Sequence, residues 1–197
     1  MSVRPYRQTA RAAAADATRR RVVDAAIELF LERWYDDVTL RDVAAAAGVA
    51  LQTVVNHFGG KEGLFVATIE RFRATVEETR SGAEPDDVRG AVAVLVSDYE
   101  RIGDANVRAL FVEDRIPAMA QALAEGRRFH RDWVERSFPG ALRGLSGAAR
   151  ERRLLALCAA LDVTTWKLLR RDQGLSRART AAVMQEMIEA FYPNRRH

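Results

Sequence analysis

Gly48 and the Gly59-Gly60 pair bracket a run, Leu51 to Phe58, with room for only about two helical turns. The whole stretch reads GVALQTVVNHFGGKEGLF, from Gly48 to Phe65. Four positions of the short run are Gln52, Thr53, Asn56 and His57, and of these Thr, Asn and His are poor helix formers. A helix this short does not persist in water on propensity alone, so it must be held by packing along one face. Val54 and Phe58, at i and i+4, supply that face. The segment before it is equally brief. Thr39 and Asp42 form a Thr-x-x-Asp variant of the capping box. Leu40, Val43, Ala44 and Ala47 then fall on one side, and Gly48 stands where a left-handed residue ends a helix. The chain must therefore accommodate two short helices meeting at a glycine turn.

The remaining pattern is helical throughout. Val23, Ala26, Ile27, Phe30 and Leu31 mark one face of a helix from Thr18 to Arg33. A long helix runs from Lys61 to about Arg80, and SGAEPDD, residues 81–87, reads as a linker. Beyond it lie an apolar face from Val88 to Ile102, a short helix over Val107 to Val112, and a longer one from Arg115 to Phe138 ended by Pro139-Gly140. A helix from Ala148 to Arg171 and a last one from Arg177 to Tyr192 close the chain. No strand alternation and no repeat appears. The expectation is an all-α fold of about nine helices: a basic flexible arm over 1–17, a three-helix unit over 18–64 with its motif at 39–58, and a helical bundle over 65–197.

Two short helices joined by a glycine turn form a helix-turn-helix signature. A helix of that kind places its N-terminal residues against base edges in the major groove. Gln and Asn match adenine in a bidentate way, and Thr meets base edges or the thymine methyl. The charge distribution fits a polyanion partner. Residues 1–21 hold six arginines against Asp16, a net of +5, while the whole chain carries +4, so the remainder sums to about −1. The single cysteine, Cys158, excludes an internal disulfide and a cysteine-based zinc site. His57, His130 and His197 have no metal-ligand partner at i+3 or i+4. No phosphate loop, nucleophile motif, secretory leader or membrane-length apolar run is read. The expectation is a cytoplasmic protein that is not an enzyme and needs no cofactor or metal.

From Arg20 to about Phe72 the sequence resembles the DNA-binding domain of the TetR family of bacterial repressors. The residues that carry the resemblance are Ala26-Ile27-Glu28-Leu29-Phe30, Val38 to Ala44, Ala47-Gly48-Val49, Thr53, His57-Phe58 and Lys61-Glu62-Gly63-Leu64. The resemblance implies that Thr39 touches a phosphate with Arg41 nearby. It also implies that Ala50, Leu51, Gln52, Thr53 and Asn56 face the groove and that His57 and Lys61 hold backbone phosphates. Three residues depart from the family's habit: Val55 for a frequent Tyr, Gln52 for a frequent Gly, and Trp34 for a frequent Gly.

The same resemblance implies a ligand-binding and dimerisation domain after the reading domain. Reading two half-sites of a two-fold operator on double-stranded DNA needs a homodimer. The last two helices, about 148–192, are the expected interface. Phe72, Tyr99, Phe111, Met119, Phe129, His130, Trp133, Asp162 and Trp166 are the expected lining of a pocket for a small, partly apolar effector. The function expected is a DNA-binding transcriptional repressor released by that effector. The alternatives are a helical ligand-binding or scaffolding protein that has lost DNA binding, and a small helical enzyme using His130 and Asp162.

Overall fold

The structure, a computed structural model, describes residues 4–82 and 84–192, with side chains from Arg11 onward. Every regular element among them is helical: α1 Arg4–Glu32, a 3-10 turn Tyr35–Asp37, α2 Leu40–Ala47, α3 Leu51–Phe58, α4 Lys61–Ser81 and α5 Val88–Leu110. Then come α6 Pro117–Ser137, α7 Pro139–Leu142, α8 Gly147–Ala160, α9 Val163–Lys167 running into a π segment Leu168–Asp172, and α10 Arg177–Glu189. The all-α class read from periodicity is the class observed. No helix of the described residues is long and apolar enough to cross a membrane.

The chain divides into two compact units, residues 1–74 and 75–197, so the division falls inside α4 rather than after residue 64. The first unit is built on Val22, Ala26, Val38, Val43, Ala44, Val54 and Leu64, with Leu29, Phe30, Leu40, Val49 and Phe58 packed against them. Each short helix thus contributes its apolar side to one small core. Segment 1–17 departs from the flexible arm expected of it. From Arg4 it is the opening of α1, and residues 1–3 lie outside the described residues. The physical reason is that Ala10 and Ala12 to Ala15 are the strongest helix formers, and the packed part of α1 has already met the nucleation cost.

The second unit buries Val88, Leu95, Tyr99, Trp133, Phe138, Leu154, Leu157, Leu161, Trp166, Met184 and Ile188 in one core. The expected helix 148–171 is interrupted. Asp162 accepts the Thr164 N–H at 2.8 Å and starts α9, because a short carboxylate competes with the helix's own carbonyls for backbone donors. The expected helix over Val107 to Val112 is not separate; α5 runs through to Leu110. A short helix follows Pro139 where the sequence suggested only a stop. The 81–87 linker is fastened at Asp86, whose carboxylate accepts the Gly140 N–H at 2.8 Å and the Tyr192 hydroxyl at 2.7 Å.

Inside this core lies an ion pair. Arg80, in the last turn of α4, donates from Nε to Asp98 Oδ2 at 2.9 Å, and the side chains are 6% and 3% exposed. The guanidinium carbon sits 5.8, 5.9 and 5.3 Å from the ring centres of Tyr99, Phe129 and Trp133. The Arg80 carbonyl accepts the Trp133 indole N–H at 3.2 Å. Removing one member of such a pair leaves the other charge buried and uncompensated. Asp98→Ala is expected to cost about 3–5 kcal/mol, measured by urea unfolding of the second unit, with Asp98→Leu/Arg80→Met recovering most of it.

Candidate nucleic-acid interface

The two-turn helix of the opening argument is α3, and its surroundings explain how it is held. Thr39 begins α2 with a complete capping box: its hydroxyl accepts the Asp42 N–H at 3.1 Å, and its own N–H donates to Asp42 Oδ2 at 2.9 Å. Bonds donated by the Thr39 hydroxyl and then by its N–H hold the Asp42 carboxyl below its ordinary range. Gly48 ends α2 at φ 64°, in the left-handed region, and its N–H reaches back toward the Ala45 carbonyl at 3.2 Å. Val54 is fully buried beneath α3. Gly63 in α4 lies so close to the end of α3 that a Cβ there would overlap the Phe58 carbonyl.

With its back face fixed, α3 presents the other. Gln52 and Asn56 are exposed, Thr53 is half-buried beside them, and Leu51 is exposed in the first turn. Gln52 Nε2 donates to Asn56 Oδ1 at 2.8 Å, so the two amides already form a pair along the helix. Ala50 precedes the helix as an exposed cap residue without a side-chain bond, and its carbonyl accepts the Thr53 N–H at 2.9 Å. No acid stands on α3. Arg41 is exposed on α2, and His57 is half-buried in the last turn of α3 with its ring 6.0 Å from Phe58.

Two expected phosphate contacts have engagements the sequence did not reveal. The Thr39 hydroxyl donates its one proton to Asp42 Oδ2 at 2.7 Å, which leaves it an acceptor. The Lys61 ammonium lies 4.3 Å from the centre of the Tyr35 ring and donates to the Asp36 carbonyl at 3.4 Å. Burial lowers the Lys61 pKa, opposed by Asp36 and Asp37. Tyr35 itself was missed. Its ring stacks on Phe30 at 5.8 Å and meets Phe65 edge-on at 5.1 Å, making the seat on which Lys61 rests. Arg19 was also missed as a structural contact; its guanidinium stands 5.2 Å from the Phe58 ring centre. An aromatic flanking the short helices was the only available signal, and it gave no partner.

The nine residues expected to line an effector pocket differ in their surroundings. Tyr99, Met119, Trp133 and Trp166 are buried core. Phe129 joins Tyr99 and Trp133 around Arg80, and His130 and Trp166 touch that group through Trp133 and Tyr99. Phe111 is 70% exposed, Asp162 caps α9, and Phe72 belongs to the first unit. Large rings at helical spacing fill a bundle's centre, and here three of them surround a buried arginine. His130 Nε2 faces the Cys158 carbonyl at 3.3 Å, and burial pushes its pKa down to about 4. A depression of about 460 Å³ in the second unit is lined by Thr75, Thr79, Ser97, Asp98, Glu100 and Arg101.

Two short helices, a left-handed glycine between them and an exposed amide face on the second make the first unit a helix-turn-helix domain. Its sequence places it more closely. Residues 22–68 match the family of bacterial regulatory proteins, tetR family. The HTH-type transcriptional regulator AlkX of Mycobacterium tuberculosis is 43% identical over 60 residues, 30% of this chain and 26% of that protein. The chain thus matches about a quarter of this curated relative's length. A transcriptional regulator from Rhodococcus sp. Rha1 superposes with a TM-score of 0.70 at 17% identity, over 88% of this chain and 95% of that one. The SmeT–triclosan complex gives 0.63 at 22% identity, over 91% and 93%. The N-terminal domain is therefore of the TetR type, and the chain as a whole has the fold of those regulators.

The glycines of this domain differ in what they require. Gly48→Ala is expected to cost about 1–2 kcal/mol from left-handed strain alone, since the space around it is open. Gly60→Ala, equally open and without a positive φ, is expected to be neutral or slightly stabilising. Thermal melts of both variants check the contrast.

Proposed function

We propose that the protein is a sequence-specific DNA-binding transcriptional regulator, a dimeric repressor released by a small, partly apolar ligand. One observation carries the reading: the amide and hydroxyl face of Gln52, Thr53 and Asn56 stands exposed on a helix whose back is buried at Val54. Base edges are what such a face matches. In this reading Ala50 and Leu51 enter the groove with it, and Arg41, His57 and Lys61 hold phosphates. Thr39 joins them by exchanging its bond to Asp42. The effector is bound in the second unit, a role supported by the triclosan complex of a protein sharing the fold. His130 and Asp162, the residues of the enzyme alternative, serve a carbonyl contact and a helix cap.

Selection of duplexes from a random pool tests the reading directly. The expected result is an enriched two-fold site. Gln52→Ala should then lose about 1–3 kcal/mol of discrimination at one base pair per half-site. Lys61→Ala should weaken binding evenly across sequences and reduce the salt slope by about 0.9 per lost phosphate contact. A protein that enriches no sequence would sink the proposal.

The homodimer is assigned to the last helices. Leu155 on α8 and Met187 on α10 are 53% and 39% exposed, large apolar side chains on the elements expected to pair. Leu155→Glu/Met187→Glu should sediment as a monomer. Its affinity for the selected site should fall about 10²-fold or more, because the two readers are no longer linked. A dimer that survives both charges would place the interface elsewhere.

A further inference from the structure

Stability does not explain the ion pair inside the second unit. A buried pair such as Arg80 and Asp98 often contributes no more than well-packed apolar residues of the same volume. Yet three rings surround the guanidinium: the ring centres of Tyr99, Phe129 and Trp133 lie 5.3–5.9 Å from its central carbon, and Asp98 accepts its Nε at 2.9 Å. Aromatic faces gathered beside a carboxylate are the arrangement that selects an organic cation. Two of these walls are held without the guanidinium. The Tyr99 hydroxyl donates to the Leu161 carbonyl at 3.0 Å. The Trp133 indole N–H donates to the main-chain carbonyl of Arg80 at 3.2 Å, and its ring meets Phe138 edge-on at 6.1 Å. Neither bond uses the Arg80 side chain, so both walls stay in place when that side chain leaves.

Asp98 is also reached from outside. It lines the depression of about 460 Å³ together with Thr75 and Thr79 of α4, and Arg101 stands 3.5 Å from its Oδ1. A guest arriving in the depression therefore meets the carboxylate that holds Arg80. An independent signal lies beside Trp133. The His130 ring centre is 6.2 Å from that of Trp133, and His130 Nδ1 is buried without a hydrogen-bond partner among the described residues. His130 Nε2 faces the Cys158 carbonyl, an atom that only accepts, so Nε2 carries the proton and Nδ1 is left an acceptor. A planar cation with N–H donors answers both an orphaned acceptor and a carboxylate; an apolar guest answers neither. We propose that Asp98, Tyr99, Phe129 and Trp133 form a binding site for a planar organic cation of the guanidinium or amidinium class, which enters by displacing the Arg80 side chain. This rests on the effector-released function above and names the chemical class of that effector. One cation replaces another, so Asp98 stays compensated while the displaced guanidinium regains water.

Benzamidine and benzamide are the probes, a matched pair of which only the first is charged. Binding to the full chain is followed by isothermal titration calorimetry without DNA, so a failure of base reading does not touch the result. The wild type is expected to bind benzamidine about tenfold or more tighter than benzamide, the difference a charge-assisted hydrogen bond makes. Arg80→Met removes the competing side chain, and benzamidine should gain about tenfold or more, because the open cage no longer has to be populated first. Phe129→Leu added to that variant should weaken benzamidine by about 2- to 30-fold. Arg80→Met/Asp98→Asn leaves no buried charge unpaired and should lose the preference for benzamidine. Circular dichroism checks the folding of each variant; if Arg80→Met alone does not fold, the wild type and the double variant still decide the question. Failure of benzamidine to bind, equal affinities for the two probes in the wild type, no gain in folded Arg80→Met, or a preference that survives Arg80→Met/Asp98→Asn overturns the proposal.

Discussion

The exposed polar face of α3 depends on the burial of Val54. Eight residues of helix do not hold together in water, and this one contains three β-branched residues, an Asn and a His. What holds it is contact with Val22, Ala26, Val43 and Leu64, a core too small to tolerate a displaced helix. Full burial of a valine contributes about 1.5–3 kcal/mol, comparable to the whole deficit of a two-turn helix. The capping box at Thr39 and the left-handed Gly48 then fix where α2 stops and α3 starts. Polar residues on α3 are free to be chosen for chemistry because packing and caps, not propensity, decide that the helix exists.

The second unit is organised around a different constraint. A guanidinium inside an apolar bundle is tolerated only when its charge and donors are answered, and Arg80 has a carboxylate and three rings. Tyr99 and Trp133 extend the arrangement by donating to the carbonyls of Leu161 and Arg80 at 3.0 and 3.2 Å. The aromatic residues are thus spent on satisfying one buried cation and on filling the core.

These two units differ in how far the sequence reveals them. In the first, every decisive signal is local: Thr39 and Asp42 three apart, Gly48 after an apolar stripe, Gly59-Gly60 after Phe58. Local signals fixed α2 and α3 to the residue, at Leu40–Ala47 and Leu51–Phe58. In the second, the informative contacts are distant in sequence. Nothing near Arg80 announces Asp98 or Trp133, so an arginine at the end of a helix reads as a solvated one. The same limit applies to Lys61, whose seat on Tyr35 depends on how a turn folds back. Aromatic spacing correctly marked residues facing inward, but facing inward is equally true of a pocket wall and of solid core. The arginine-rich start was legible as charge and misread as an arm, because composition reports repulsion and not the helix that alanines propagate from a packed neighbour.

The pairing of Gln52 with Asn56 bears on what binding costs. Two free amide side chains lose rotamer freedom when they meet a base, on the order of 0.5–1.5 kcal/mol each. Here each already holds the other at 2.8 Å, so part of that ordering is met before DNA arrives. The bond uses one Gln52 N–H and one Asn56 Oδ1 acceptor site, so the second Gln52 N–H, the Gln52 carbonyl and the Asn56 NH2 are not engaged by it. A base that uses both side chains at once meets a preset pair; a base that needs either alone must first break it. In the proposed function, discrimination at this pair of positions is therefore coupled through the bond between Gln52 and Asn56.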